Sequence, residues 1–231
     1  MADTPQLLNN DLLLSEDGSS TLYNHRFGDS YHSVHGAIDE AMLVYLKNGF
    51  ENSLQIFHTH INVFELGFGT GLNALLTVLE ALKNNIHLRY ESIEAYPITN
   101  FEVEKLNYPE RIDHPLAKEI FEKLHNLSWN IEQELFPNIK FLKREIKLEQ
   151  MPALNPEFHV VYYDAFGSSK QPEMWTAEMI EKIAKGIVEN GIFVTYSTNG
   201  QLKRTLKNLN FKIEKLPGPK GKREVLKATK Q

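Results

Sequence analysis

The sequence predicts an α/β fold, in which a mostly parallel sheet carries helices on both faces and ends in an antiparallel hairpin. Three observations support this. Short apolar runs alternate with helical patterns from residue 61 onward, as is typical of parallel sheets. A glycine-rich loop follows the first run. The last two runs, 211–216 and 224–228, are joined by a short connection that contains five turn-type residues, Pro217 to Gly221. A connection that short cannot cross between parallel strands, so the final strand must pair antiparallel.

The elements can be assigned in chain order. Residues 1–60 are expected to form a small amino-terminal extension, with an irregular arm over 1–35 that contains short extended pieces such as 20–24. A helix begins at Gly36, because Ala37, Glu40, Ala41, Val44 and Tyr45 recur at helical spacing. Residues 61–231 form the main domain. Its expected strands are 61–66, 88–94, 140–142, 158–163, 192–197, 211–216 and 224–228, and its expected helices are 72–82, most of 114–136, 172–188 and 202–209.

Composition excludes several classes of protein. The 231 residues contain no cysteine, so disulfides, thiolate metal sites and a cysteine nucleophile are absent. No run approaches the ~18 consecutive apolar residues of a membrane span. The first residues, Met1 to Pro5, lack the basic flank and apolar run of a signal peptide. We therefore expect a cytoplasmic protein with no membrane partner.

Charge is distributed unevenly. The segment 203–230 contains ten basic and two acidic residues, a net charge of +8, so the remainder carries −13 of the total of −5. A basic end on an acidic body can bind phosphates, although a solvated lysine-rich surface would have the same composition.

The loop Glu65-Leu66-Gly67-Phe68-Gly69-Thr70-Gly71 is the first candidate binding motif. Its glycines let the backbone turn sharply and approach a ligand. The dinucleotide motif G-x-G-x-x-G would need a third glycine where Leu72 stands. The loop instead resembles the E-x-G-x-G-x-G motif that holds the methionine moiety of S-adenosylmethionine. Together with the parallel sheet and its carboxyl-terminal antiparallel hairpin, this loop indicates a class I (Rossmann-like) methyltransferase fold. The expected cofactor residues here are Glu65, Gly67, Phe68, Gly69, Gly71 and Asn73; a tight turn without a ligand is the alternative.

Acidic residues after the next strands complete the predicted cofactor site. A ribose needs a carboxylate about 20 residues past the glycines, and Glu94 stands there. Glu91 competes, but it should face away from the cleft because of its place in the pleat. Glu145 follows the third strand, where such enzymes place an acid near the adenine amine; a solvated charged turn is the alternative.

Asp164 ends the apolar strand 158–163, at the edge where open α/β sheets bind ligands. It could simply cap the following turn. Because the first two strands supply cofactor residues at the same edge, we expect Asp164 to line the catalytic cleft, to contact the cofactor and to be catalytic.

The residues Asp164-Ala165-Phe166 and Lys170-Gln171-Pro172-Glu173-Met174-Trp175 resemble the D-[AG]-F … K-x-P-[DE]-M-W signature of one tRNA methyltransferase family. This is the MnmC amino-terminal-domain/MnmD family, which completes the 5-methylaminomethyl group of wobble uridine. Further similar blocks are Asp17 to Ser19, Tyr31 to Ser33, Gly36 to Glu40, Glu65 to Ala74 and Gly218 to Leu226. The resemblance covers nearly the whole chain in the expected order.

The resemblance implies S-adenosylmethionine-dependent methylation of 5-aminomethyl(-2-thio)uridine in the anticodon region of tRNA, without a flavin. Because an ordinary aspartate pKa near ~3.9 suits a base poorly at neutral pH, Asp164 is expected to orient the amine while water takes the proton. Tyr31 and Phe166 are candidates to stack on the base. Lys220, Lys222 and Arg223 are candidates to bind phosphates beside the cleft, since a final antiparallel strand starts there.

Three other functions agree with part of this sequence pattern. A small-molecule amine methyltransferase would share the cofactor site without needing the basic segment. A methyltransferase acting on exocyclic base amines would carry an Asn/Asp-Pro-Pro-Tyr/Phe motif, which Asp164 to Gly167 does not match. A non-catalytic tRNA-binding protein would not need the glycines and carboxylates.

The pair His58 and His60 has no nearby third ligand, so no metal is expected. The 2-thio preference, the tRNA isoacceptors and the oligomeric state stay open.

Overall fold

An eight-stranded sheet organises the fold. The structure is a computed structural model that describes residues 10–231; the segment Met1 to Pro5, considered above for a leader, lies outside them. The strands are β1 (Asn10–Leu14), β2 (Ser20–Asn24), β3 (Asp29–Ser30), β4 (His60–Leu66), β5 (His87–Glu94), β6 (Gln133–Phe136), β7 (Ile139–Glu145), β8 (Phe158–Tyr163), β9 (Ile187–Thr195), β10 (Phe211–Pro217) and β11 (Glu224–Lys230).

The helices are α1 (Ala37–Ala41), α2 (Asn52–Phe57), α3 (Leu72–Lys83), α4 (Asn100–Val103), α5 (Tyr108–Arg111), α6 (Ala117–Asn126), α7 (Ala177–Ala184) and α8 (Gly200–Asn208). A π-helical segment, Met42–Glu51, joins α1 to α2, and short 3₁₀ turns occupy Leu148–Gln150 and Pro172–Trp175.

The strand order of the large sheet is β10-β11-β9-β8-β4-β5-β7-β6. Strands β7, β5, β4, β8 and β9 run parallel, and β11 pairs antiparallel with both β9 and β10. The predicted parallel sheet with a carboxyl-terminal antiparallel hairpin is therefore confirmed. This topology places the ends of the parallel strands and the start of β11 along one edge.

Helices cover both faces of the sheet because its central strands are apolar on both sides. On one face, the π-helical segment packs on β8 and β9 and α3 packs on β5, with α6 against α3. On the other face, α7 packs on β9, and α8 packs on α7 and β10. Helix α3 is buried over most of its surface, since it lies between the sheet and other helices.

The segment before β4 is more regular than expected. Strands β1, β2 and β3 form a separate antiparallel sheet where an irregular arm was anticipated. The π-helical segment packs closely on the large sheet: a Cβ built on Gly49 would lie 2.9 Å from Tyr162 and 3.0 Å from Val194. The helix within residues 1–60 thus shares its core with the main domain.

Two expected helices are shorter than the sequence suggested. The prediction of helix over most of 114–136 is wrong beyond Asn126, because the backbone leaves the helical conformation at Leu127 (ψ 139°). The chain then turns through Asn130, which has a positive φ of 65°, and enters β6. The expected helix 172–188 begins as a 3₁₀ turn, becomes helical at Ala177 and ends at Ala184. Ile187 already belongs to β9.

Candidate active site

A cavity of about 550 Å³ opens at the carboxyl edge of the sheet. Each parallel strand from β4 to β9 contributes to its wall, as do the start of β11 and the segment from Phe27 to His35. We distinguish two ends. The glycine-loop end consists of Gly67, Phe68, Gly69, Thr70, Glu94 and Tyr96; the Asp164 end consists of Glu40, Asp164, Tyr196 and Lys222.

The glycines of the loop are required by their backbone geometry. Gly67, Gly69 and Gly71 have φ values of 93°, 51° and 75°, a region that favours glycine. A Cβ on Gly67 would lie 2.8 Å from the backbone oxygen of Asp164, and one on Gly69 would lie 3.0 Å from the Tyr31 ring. Side chains at Gly67 and Gly69 would collide with these neighbouring groups of the cavity wall. Because the loop has no side chains at these positions, it forms a cradle in which a ligand can lie close to the backbone.

Buried polar residues hold this loop from behind. The Thr70 hydroxyl lies 2.8 Å from His32 Nε2 and accepts a hydrogen bond from Tyr108, and the Thr70 carbonyl lies 3.2 Å from His125 Nε2. Burial lowers the pKa of both histidines to about 4, so both rings are neutral at pH 7. No sequence pattern connects these four residues, because they come from four distant segments.

Glu94 lines the cavity, as predicted. Its Oε2 accepts the Gly69 N–H at 3.0 Å and its Oε1 accepts the Tyr96 N–H at 2.9 Å. Burial raises the pKa of this carboxyl, against the effect of these backbone bonds. Each carboxylate oxygen can still accept a second hydrogen bond, which suits recognition of two neighbouring hydroxyls.

The other acidic residues differ from Glu94 in position. Glu91 is buried and forms ion pairs with Arg89 and Arg144, so it does not line the cavity. Glu65 is also buried outside the cavity wall, where it accepts a hydrogen bond from Ser92; burial raises its pKa to about 8. Glu145 is exposed and absent from the wall, because β7 continues through it and the next residues, from Ile146, turn into the cavity.

Asp164 lies in the cavity wall and is held by two hydrogen bonds. Tyr45 donates its hydroxyl to Oδ1 at 2.5 Å, and Asn73 donates its amide to Oδ2 at 2.8 Å. Burial raises the pKa of Asp164 to about 7. The earlier premise of an ordinary aspartate pKa is therefore wrong, and at neutral pH this carboxyl can accept or release a proton.

Glu40 and Lys222 form an ion pair at the same end of the cavity. The Lys222 ammonium also lies 3.8 Å from the centre of the Tyr196 ring. Lys222 thus stands beside the cleft, where the antiparallel direction of β11 was expected to place it. In the sequence, Tyr45 was noted only as a member of a helical stripe, and Glu40 as a member of that stripe and of the family-like block 36–40, without a role in the site. A glutamate within an otherwise apolar stripe was the signal that could have identified Glu40.

Aromatic residues line the cavity between its two ends. Phe166 lies with its ring centre 5.1 Å from that of Tyr31 and 4.7 Å from that of Phe27. Phe27 also contacts Tyr96, whose ring is covered by the Arg26 guanidinium at 4.2 Å. Tyr31 and Phe166 are therefore together in the wall, and Phe27 and Tyr96 join them without having been predicted.

Lys220 and Arg223 lie outside the cavity wall and are exposed. Lys220 forms an ion pair with Glu16. The structure thus separates the three predicted phosphate ligands, placing Lys222 inside and the other two on the surface.

Within residues 10–231, no group of three or more His, Cys, Asp or Glu side chains is arranged to hold a metal ion. No helix in that range is long and apolar enough to cross a membrane.

Residues 111–231 match the model of a family described as S-adenosyl-L-methionine-dependent methyltransferase. The match covers more than half of the chain and includes Asp164 and the segment 218–226. The chain belongs to this methyltransferase family. The family uses S-adenosylmethionine. The cradle of glycines and the free acceptor positions of Glu94 fit that cofactor, as does the buried Oδ1 of Asn73, which has no hydrogen-bond partner within residues 10–231.

Relatives point to the MnmC branch of the family. The chain is 30% identical over 222 residues to the tRNA 5-methylaminomethyl-2-thiouridine biosynthesis bifunctional protein MnmC of Nitrosospira multiformis, covering 89% of this chain and 34% of that protein. The protein of that name from Pseudomonas syringae is 26% identical over 217 residues, with 88% and 32% covered. The chain therefore spans about one third of the length of these relatives.

The fold is shared with a solved structure, MnmC2 from Aquifex aeolicus. The TM-score is 0.78 at 23% identity, covering 98% of this chain and 72% of that one. The chain is accordingly a methyltransferase with a class I fold that resembles the MnmC proteins in sequence.

Proposed function

We propose that the chain transfers the methyl group of S-adenosylmethionine to the side-chain amine of 5-aminomethyl(-2-thio)uridine at the wobble position of tRNA. The observation that carries this proposal is the cavity that joins the glycine cradle and Glu94 to Asp164, with aromatic rings between them. The MnmC relatives are named for tRNA 5-methylaminomethyl-2-thiouridine biosynthesis, which supports the choice of acceptor.

The cofactor would be held at the glycine-loop end. Gly67, Gly69 and Asn73 would contact its methionine moiety, and Glu94 would accept hydrogen bonds from the ribose hydroxyls. Bound S-adenosylmethionine supplies an electrophilic methyl group on a cationic sulfur, which becomes a neutral thioether when the methyl group leaves.

Asp164 would hold the acceptor amine. Tyr45 and Asn73 fix its carboxylate by donating to opposite oxygens, so its remaining lone pairs point to a defined place in the cavity. An ionised Asp164 attracts the ammonium form of the amine. Because burial brings its pKa near neutrality, it is also a better proton acceptor than an ordinary aspartate. The freed nitrogen lone pair can then form the new N–C bond.

Aromatic side chains would bind the base itself. A wobble base is available to an enzyme when it is unstacked from the anticodon loop, and such bases stack on aromatic faces. Tyr31 and Phe166 offer such faces between the two ends of the cavity. The 2-thio group is left open by these contacts.

The decisive experiment uses a synthetic anticodon stem-loop RNA with 5-aminomethyluridine at the wobble position. The protein and S-adenosylmethionine should add one methyl group to this nucleoside, as measured by mass spectrometry, and none to the same RNA with unmodified uridine. Asp164→Asn should lower the single-turnover rate by about a hundredfold to ten-thousandfold.

Asparagine is a suitable replacement for Asp164 because the neighbouring Asn73 amide can adapt. That amide can rotate and accept a hydrogen bond from the introduced amide through its Oδ1, which has no partner among the described residues. Thermal stability should then stay close to the wild-type value, as should affinity for S-adenosylhomocysteine, whose sulfur is uncharged. Methylation of free alkyl amines without methylation of the RNA would contradict the proposal.

A further inference from the structure

The Glu40–Lys222 ion pair is built into the cavity by two distant parts of the chain. Glu40 is 4% exposed. Its Oε1 accepts from Lys222, and its Oε2 accepts the backbone N–H of Ser33 at 2.9 Å. The Lys222 ammonium also lies over the face of the Tyr196 ring. Burying such a pair costs desolvation free energy, so a pair kept at the cavity wall calls for a role that a hydrophobic pair could not fill.

The pair presents a fixed acceptor beside a fixed donor. Each oxygen of Glu40 can accept a second hydrogen bond, and the Lys222 ammonium has N–H groups beyond the one used by Glu40. The imide edge of uracil carries the matching groups, the N3–H donor next to the O4 acceptor. Cytosine carries the reverse pattern at these two positions, an N3 acceptor next to an amino donor.

The position of the pair relative to Asp164 also fits a uracil. Glu40 and Lys222 both lie within electrostatic reach of Asp164, and all three residues line the same end of the cavity. In a 5-aminomethyluracil, O4 is on the carbon next to the one that carries the aminomethyl group. An amine held at Asp164 therefore brings O4, and then N3, to groups just beside Asp164.

We infer that Glu40 and Lys222 select the base: Glu40 accepts the N3–H of the acceptor uracil and Lys222 donates to its O4. This inference rests on the proposed function, because it assumes that the amine at Asp164 belongs to a 5-substituted uridine. The inference also gives a role to the segments 31–33, 36–40 and 218–226. These segments resemble the family, and the cofactor site does not explain their resemblance.

The test compares two synthetic stem-loop RNAs, one with 5-aminomethyluridine and one with its N3-methyl derivative, in single-turnover methylation assays. In the wild type, the N3-methyl group should slow methylation about tenfold or more, since a base-edge hydrogen bond contributes discrimination of that order. Glu40→Ala removes the acceptor and makes room for the methyl group. The ratio of the two rates should then fall to near one.

Lys222 is tested with a third RNA that carries 5-aminomethylcytidine. Lys222→Met should lower the rate on the uridine RNA about tenfold or more and narrow the preference for uridine over cytidine. Cofactor affinity, measured by calorimetry, reports whether either variant has disturbed the rest of the site.

Lys220→Met and Glu16→Ala are the matched controls. They break a second ion pair of the same kind, formed by the same loop but outside the cavity. Any loss they cause should affect all three RNAs equally and leave the ratios unchanged. Wild-type ratios in Glu40→Ala and Lys222→Met would overturn the inference, since a structural or proton-transfer role lowers all rates alike. Failure of the wild type to methylate any of the RNAs would instead overturn the proposed function.

Discussion

The two ends of the cavity are built in different ways. At the glycine-loop end, the binding groups belong to short stretches of sequence that directly follow β4 and β5, and backbone bonds tie them together: Gly69 N–H donates to Glu94. At the Asp164 end, four side chains converge from the first helix, the residue after β8, the residue after β9 and the loop before β11.

This difference follows from what each end has to bind. A cofactor common to many enzymes can be held by a local loop whose backbone supplies most contacts. An acceptor specific to one enzyme needs side chains at chosen positions, and these come from wherever the fold brings the chain to the cavity. We therefore expect variants at the glycine-loop end to change cofactor affinity and variants at the Asp164 end to change the acceptor step.

The largest expected effect in this comparison is on cofactor affinity. Glu94→Ala removes the acceptors for both ribose hydroxyls and leaves the Gly69 and Tyr96 N–H groups without their partner. Affinity for S-adenosylmethionine should fall about tenfold to a thousandfold, as expected for the loss of charged hydrogen bonds. Isothermal titration calorimetry measures it directly.

Glu145→Gln provides the control for Glu94. Glu145 is exposed and lies outside the cavity wall, so cofactor affinity should be unchanged in this variant. A weaker affinity in Glu145→Gln, with Glu94→Ala unaffected, would show that the adenosine lies along β7 and that the Glu94 end has been misassigned.

The same difference explains what the sequence could predict. The alternation of strands and helices, the glycine loop and the place of Glu94 at the end of β5 follow from local patterns, because apolar runs, alternating glycines and a fixed spacing are each visible in one stretch. The contacts of Asp164 with Tyr45 and of Lys222 with Glu40 join residues 119 and 182 positions apart, and no local pattern encodes them. The pKa of Asp164 was misjudged for that reason, since its burial depends on those distant elements.

The pH dependence of ligand binding probes the charge at the Asp164 end. With its pKa raised to about 7, Asp164 is mostly neutral at pH 6 and mostly ionised at pH 8. The ionised form attracts the cationic sulfur of S-adenosylmethionine, so affinity should rise up to about tenfold over this range. S-adenosylhomocysteine, whose sulfur is uncharged, makes the same contacts elsewhere and should show a much weaker rise.

Calorimetry at several pH values, with both ligands, measures this difference. Asp164→Asn should abolish it, because the amide does not ionise. An equal pH dependence for the two ligands would mean that another group titrates and that Asp164 does not lie near the reacting sulfur. Glu65 in β4 and Glu94 in β5 are the alternatives, because their pKa values are also raised.

The smallest expected effect concerns RNA phosphates, and it separates the surface of the Asp164 end from its interior. Lys220 and Arg223 are exposed beside the cavity, whereas Lys222 points into it. Each phosphate contact that is lost should reduce the steepness of the log–log salt dependence of RNA binding by roughly 0.7–0.9. Lys220→Ala with Arg223→Ala should therefore flatten the dependence by about twice that amount.

Two variants serve as controls. Lys222→Met should leave the slope unchanged while lowering turnover. Lys118 is an exposed lysine on α6 outside the cavity wall, so Lys118→Ala should change neither the slope nor turnover. A flattened slope in Lys222→Met would mean that this ammonium contacts a phosphate, and the base-selecting role of the Glu40–Lys222 pair would then be wrong.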